Sequence, residues 1–114
     1  MEALDRVRGE LSPETAGDYQ LSRAGVLMAL GRYREAARTL EPWRGPDGLA
    51  AYGQYNRGVA LLRAGEAERA ATAFAAAVAQ PATGEELLAL RDKARLSLAY
   101  VLAGQGKYAQ AREA

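Results

Sequence analysis

Cysteine, histidine and isoleucine are absent from this 114-residue sequence. Without thiols or imidazoles, the chain has no disulfides, no thiol or imidazole catalysis and none of the common zinc sites. The lack of isoleucine and the scarcity of valine disfavour strands, whereas the abundance of alanine and leucine favours helices. With 49% hydrophobic and 25% charged residues, the composition is typical of a globular protein. We therefore predict one all-α domain over residues 1–114.

A strong net charge and a long apolar run are also missing. The formal net charge is +1, and the arginines are interleaved with acids, as on solvated helix faces. This balance disfavours nucleic acid and anionic membranes as partners. The longest apolar run, at residues 70–79, is too short and too rich in alanine to insert into a membrane. The N-terminus carries acids where a signal peptide needs basic and apolar regions. If Met1 is native we expect a cytoplasmic protein, with a processed exported fragment as the alternative.

Helix start and stop signals divide the chain into helical hairpins. Ser12 followed by Pro13 begins one helix, Gly31 and Gly65 end two others, and Thr83 with Glu86 has the spacing of a capping box. Leu4, Val7 and Leu11 share one face of a short N-terminal helix. The predicted segments are this helix at 2–11, helices at about 13–30 and 33–40, a loop at 41–48, a hairpin at 51–81, a helix to about 103 and a final helix at 107–114.

The hairpins repeat one another. Gly31 and Gly65 are 34 residues apart, and Gly106 follows 41 residues later, about two extra helical turns. In this register small residues face each other where paired helices cross, and such residues allow helices to approach closely. The small pairs are Ala24 with Ala36, Gly58 with Ala70, and Ala99 with Ala111, and the large residues beside them are Leu27, Leu40, Leu61, Phe74 and Leu102.

These columns resemble the tetratricopeptide repeat, and GRYREA, GEAERA and GQGKYAQA are similar to its turn and second-helix start. The resemblance covers about residues 17–114. It implies a right-handed α-solenoid of antiparallel helix hairpins, with repeats at 13–45, 47–81 and 84–114, the last with a truncated second helix. The sequence departs from the pattern where Gln20, Gln54 and Arg95 replace the usual tryptophan, where Arg23 and Arg57 replace the next leucine, and where Pro42 comes early.

The resemblance also implies a concave groove, lined by the first helix of each repeat, that binds peptides or other proteins. In repeat one it assigns Asp18, Leu21, Ser22, Gly25 and Met28 to this groove. In repeats two and three it assigns Tyr52, Tyr55, Asn56, Val59, Leu62, Arg63, Lys93, Leu96, Ser97 and Tyr100. Asn56 and Lys93 match the carboxylate clamp of some members, but Leu21 and Gly25 do not, so a full clamp is not expected.

Aromatic residues can serve either the core or a ligand. We predict that Tyr52 and Tyr100 face the groove, whereas Tyr55 fits a groove position and a place between repeats equally well. Trp43 can anchor a partner, but we favour an indole that folds back over the first hairpin.

We predict a scaffold or adaptor that binds a peptide or helix of a protein partner. One alternative is a self-assembly element of a longer protein, which packs through the solenoid ends on copies of itself, as a homo-oligomer, or on another domain. Another, disfavoured by the charge balance, is a helical repeat that binds RNA. No catalytic constellation is visible, because acid pairs such as Glu85 and Glu86 are typical of helix starts. We therefore expect no enzyme, cofactor or metal site.

Overall fold

A computed structural model describes residues 12–105, which form five α-helices and no β-strand. The helices are α1 (Pro13–Ala29), α2 (Tyr33–Thr39), α3 (Ala50–Arg63), α4 (Ala67–Ala79) and α5 (Glu85–Gly104), and a 3-10 helix (Asp47–Leu49) precedes α3. The predicted helices at 2–11 and 107–114 lie outside the described residues. Over the described range, none of the helices combines the length and the apolar character needed to cross a membrane.

Glycine closes both helical hairpins, as the sequence predicts. Gly31 and Gly65 have φ angles of 76° and 83°, in the left-handed region that glycine enters without a steric penalty. The amide of Arg32 donates to the Leu27 carbonyl at 2.8 Å, and Glu66 repeats this bond to Leu61 at 2.9 Å. These bonds are typical of the Schellman motif, which satisfies the carbonyls at a helix end. The two turns are therefore equivalent in structure as well as in sequence.

Each second helix packs against its own first helix and against the first helix of the next hairpin. Thus α2 contacts α1 and α3, and α4 contacts α3 and α5. The first helices are also neighbours, since α3 contacts both α1 and α5. This order of contacts is that of a helical solenoid, in which each repeat packs mainly on its neighbours.

The core lies at the helix crossings that the repeat register predicts. Ala24, Ala36 and Ala70 are buried there, and Leu27, Leu40, Leu61 and Phe74 fill the space beside them. In the third repeat Ala99 and Leu102 are half-buried, and Ala111 lies outside the described residues.

Gly58 and Phe74 make the closest approach between α3 and α4. A Cβ atom added to Gly58 would lie 2.6 Å from Cε1 of Phe74, much closer than carbon atoms pack. The Phe74 side chain is fully buried, so its ring has no open space to move into. The glycine in mid-helix is therefore explained by the aromatic ring that occupies the place of its missing side chain.

The loop after α2 is held to α1 by Gln20, which is 4% exposed. Its amide nitrogen donates to the carbonyls of Thr39 at 3.0 Å and Pro42 at 2.8 Å, and its oxygen accepts from the amide of Arg44 at 2.8 Å. Such bonds satisfy backbone groups that would otherwise be desolvated without partners. Gln20 therefore replaces the usual tryptophan of the repeat with a polar clamp on the loop.

Trp43 folds back from this loop, as we favoured from the sequence. Its indole lies where side chains of Gly17 on α1 and Gly53 on α3 would be, with calculated Cβ distances of 3.3 and 2.6 Å. The indole nitrogen donates to the Pro46 carbonyl at 3.0 Å. The ring thus fills the space between α1 and α3 and is half-buried.

The capping box predicted at Thr83 is wrong. The helix starts two residues later, at Glu85, with Gly84 as the N-cap residue and no capping bond from a side chain. Glu85 and Glu86 nevertheless lie in the first turn, where carboxylates interact favourably with the helix dipole. A charge interaction thus stabilises this helix start where we expected a hydroxyl cap.

Two glycine substitutions test the contact between α3 and α4. We expect Gly58→Ala to destabilise the protein by about 1–3 kcal/mol, because the strain against Phe74 exceeds the roughly 1 kcal/mol gained in helix propensity. Gly25→Ala is the matched control in mid-α1, since its Cβ would meet nothing within 4 Å, and it should stabilise by up to about 1 kcal/mol. Thermal melts measure both changes. Equal stabilisation by the two substitutions would contradict the close contact at Gly58.

Candidate functional site

The ten positions assigned to a groove in repeats two and three lie on α3 and α5, which are in contact. Four of their side chains are exposed, and the other six are half-buried. The exposed residues are Arg63, Lys93, Leu96 and Tyr100, and the half-buried residues are Tyr52, Tyr55, Asn56, Val59, Leu62 and Ser97.

Leu96 and Tyr100 form an apolar pair on α5. They are 73% and 72% exposed and are spaced by one helical turn, so they lie on the same side of the helix. Lys93 precedes Leu96 by three residues and extends this side towards the helix start. Exposed apolar side chains are common singly, but adjacent ones rimmed by charge are typical of interaction surfaces.

Tyr55 joins the core to this surface. Its ring centroid lies 5.7 Å from that of Phe74, with the rings tilted by 53°, a geometry that is favourable for aromatic pairs. The Nζ atom of Lys93 lies 6.0 Å from the same tyrosine ring centroid, at the limit of a cation–π contact. Tyr55 therefore packs on the core of its own repeat and lies beside Lys93 of the next repeat, and it is half-buried. Val59 and Leu62 likewise pack against the core.

Asn56 already has a partner within its own helix. Its amide nitrogen donates to the Tyr52 carbonyl at 2.8 Å, one turn earlier. This bond uses one amide hydrogen and leaves the other hydrogen and the oxygen for further bonds. Asn56 is thus less available than its place in the repeat implies.

The charges on α3 and α5 near these residues are mostly positive. Helix α3 contains no acidic residue, and neither Arg63 nor Lys93 is in an ion pair with any residue between 12 and 105. Their charges are therefore available for an external anion. On α1, Asp18 is the acidic member among the positions assigned to repeat one; of the others, Ser22 and Gly25 are exposed, and Leu21 and Met28 pack partly on the core.

Comparison with known protein families identifies the repeat. The model of the family described as "Tetratricopeptide repeat" matches residues 17–42, 51–76 and 93–114, well over half of the chain. The chain belongs to the tetratricopeptide repeat family. Such repeats generally mediate protein–protein interactions, and their domains are typically non-catalytic scaffolds. No curated protein and no solved structure matches the chain.

Val26 and Leu30 form a second exposed pair, which sequence reasoning missed. They are 53% and 64% exposed on α1, one turn apart. In the repeat register Val26 corresponds to Ala60 and Val101, which are 0% and 3% exposed. The later repeats bury this column in the core, whereas the first repeat exposes it. The repeat alignment contains this signal, because no repeat precedes this one within residues 12–105.

Two tyrosine substitutions separate the core from the surface. We expect Tyr55→Ala to cost about 2 kcal/mol or more, because it removes a ring packed on Phe74, whereas Tyr100→Ala should change stability by less than about 0.5 kcal/mol. Tyr55→Phe is the control for the hydroxyl and should melt close to the parent. Denaturant unfolding measures all three. A Tyr55→Ala variant as stable as the parent would place this ring outside the core.

Proposed function

We propose that this tetratricopeptide repeat protein binds a helix or an extended peptide of a partner protein along α3 and α5. The exposed pair of Leu96 and Tyr100, next to Lys93, is the observation that carries the proposal. Binding would bury both side chains, and each contributes apolar area that the free protein leaves in water.

An aromatic side chain that is already held in place favours this surface as a binding site. Tyr55 is fixed by Phe74, and tyrosine offers a large area with few rotatable bonds. Little entropy is therefore lost when a ligand packs on it. A flexible peptide must still be ordered, and only a few side chains are available, so we expect a dissociation constant of roughly micromolar.

The charges favour an acidic ligand. Arg63 and Lys93 have no carboxylate partner within residues 12–105, and a ligand carboxylate can form charge-assisted bonds with them. We infer that the preferred peptide combines apolar side chains for Leu96 and Tyr100 with aspartate, glutamate or a C-terminal carboxylate.

A specific observation supports self-assembly as the second candidate. Val26 exposes the column that the later repeats bury, Leu30 is exposed one turn later, and a second copy of the chain could cover both side chains. The two candidates use different helices. Matched substitutions on α1 and α5 therefore distinguish them.

The first experiment selects peptides from a displayed random library on the parent protein and titrates them on two double variants. Leu96→Ala with Tyr100→Ala should weaken binding at least about tenfold, or about 1.4 kcal/mol. Val26→Ala with Leu30→Ala removes an equally spaced exposed pair and should leave peptide affinity within about twofold. Light scattering of both variants reports the oligomeric state in parallel.

The opposite pattern would contradict the groove proposal. If the α1 variant loses binding or dissociates an oligomer while the α5 variant behaves as the parent, the end of the solenoid is the interaction surface. Thermal melts of both variants test whether unfolding causes a loss of binding. We expect both variants to melt as the parent does, because all four side chains are more than half exposed.

The charge preference is tested with the same selected peptides. We expect Arg63→Gln with Lys93→Gln to weaken acidic peptides several-fold and to remove most of the salt dependence of their binding, because exposed charges are screened by salt. Neutral peptides of the same apolar pattern should bind the parent and the variant alike. An unchanged salt dependence in the variant would show that other charges attract the ligand.

A further inference from the structure

Arginines are concentrated around α2. Seven arginines and three glutamates belong to this region. Each of them is part of α2, lines a cavity beside α2 or forms an ion pair with a residue that does. The arginines are Arg23, Arg32, Arg34, Arg38, Arg44, Arg57 and Arg69, and the glutamates are Glu35, Glu41 and Glu66. This set, called the α2 basic patch below, has a formal charge of +4, although the whole chain has +1.

Four of these arginines form ion pairs with the three glutamates. Glu35 accepts two 2.8 Å hydrogen bonds from Arg32. Glu41 pairs with Arg57 at 2.9 Å and with Arg69 at 3.3 Å, and Glu66 pairs with Arg69 and with Arg34. Each of these three carboxylates therefore already has one or two cationic partners.

The other three arginines line one cavity. It has a volume of about 70 Å³ and lies between α1, the end of α2 and the following loop, where Arg23, Arg38 and Arg44 meet Tyr19 and Gln20. Arg38 and Arg44 are exposed and form no ion pair within residues 12–105. Arg23 is half-buried, and its Nη1 donates to the Tyr19 hydroxyl at 3.2 Å.

The floor of the cavity is rigid and positions one of its arginines. Gln20 is buried and bonds the backbone amide of Arg44 at 2.8 Å, so the start of this side chain is fixed against α1. Glu41 also lines the cavity, but its Oε1 atom is bonded by Arg57 and Arg69. Arg38 and Arg44 are therefore the lining residues whose charge has no carboxylate partner within residues 12–105.

We propose that this cavity binds a phosphoryl group carried by a phosphoserine or phosphothreonine of a protein partner. The exposed guanidinium groups of Arg38 and Arg44 supply several N–H donors to one small volume, and phosphate carries nearly two negative charges with three acceptor oxygens. Arginine clusters are a recurring means of recognising such groups. A cavity of about 70 Å³ has room for a small group such as a phosphoryl group.

A nucleic acid fits the cavity less well. Single-stranded nucleic acids need aromatic faces on which bases stack, and Tyr19, the aromatic residue of this cavity, is buried. The site is also separate from the α3 and α5 residues proposed for peptide binding, since none of those lines it. The two proposals can therefore fail independently.

The test titrates the parent protein with inorganic phosphate, with a short phosphoserine peptide and with the same peptide carrying serine, all at equal ionic strength. Arginine side-chain NMR signals and the fluorescence of Trp43, the only tryptophan, report binding next to Arg44. We expect the phosphoserine peptide to bind at least about tenfold more tightly than the serine peptide. Inorganic phosphate should compete with it.

Single variants locate the site. Arg38→Gln and Arg44→Gln should each weaken the phosphoserine peptide about tenfold, as expected for the loss of charge-assisted bonds. Arg34→Gln, on the same helix but outside this cavity, and Arg63→Gln on α3 make the same change in charge and should each weaken it less than about threefold. Arg38 and Arg44 are exposed, so we expect the melts to match that of the parent.

Four results would overturn the proposal. The first is equal binding of the phosphoserine and serine peptides. The second is a loss of affinity in Arg34→Gln as large as those in Arg38→Gln and Arg44→Gln. It would show that the positive charge of the whole α2 basic patch, and not this cavity, attracts the peptide. The third is an oligonucleotide that binds more tightly than the phosphoserine peptide and displaces it, which would assign the patch to nucleic acid. If inorganic phosphate binds through Arg38 and Arg44 as tightly as the peptide does, the ligand is free phosphate and the partner protein is excluded.

Discussion

Close contact between paired helices is the constraint on which the rest of this structure depends. Gly58 lets the Phe74 ring lie where a side chain would be, and Ala24 with Ala36 allows the first hairpin the same approach. Helices at this distance exclude water from their crossing, so the leucines beside the small residues are buried as well. This packing also determines which residues of each helix are exposed, because a helix that packs through one face presents the opposite face to solvent or to a ligand.

The first hairpin packs its two helices and the following loop around a glutamine, which is an unusual residue at this position of the repeat. Where the repeat commonly places tryptophan on the first helix, this chain has Gln20, and an indole comes instead from Trp43 in the loop. The substitution exchanges apolar filling for three hydrogen bonds to the loop backbone, while Trp43 restores apolar contact against Gly17 and Gly53. A buried polar group of this kind is tolerated because its hydrogen-bonding atoms are satisfied. The loop is thereby part of the packed structure.

Features that depend on one helix and its turn could be predicted from the sequence. The glycines at the first two turns and the small residues of the first two crossings follow from local backbone and packing rules, and the structure confirms them. The start of α5 was predicted wrongly because Thr83 and Gly84 are both acceptable cap residues, and local spacing does not choose between them. The links from Glu41 to Arg57 and Arg69 could not be predicted, since they join a loop to two different helices. The exposure of Val26 depends on what precedes it in space, which periodicity within α1 does not contain.

The net charge of the whole chain does not describe the charge at one place on its surface. The value of +1 for the whole chain argues against binding to any extended polyanion, because such binding depends on many phosphate contacts at once. It does not bear on a site for a single anion, since the potential in a small cavity depends on the few charges that line it. The α2 basic patch contains seven of the fifteen basic residues and three of the fourteen acids, leaving eight basic and eleven acidic residues elsewhere. An excess of acids among the other residues of the sequence thus conceals the excess of arginine in this set. The two together permit recognition of one charged group without general attraction to polyanions.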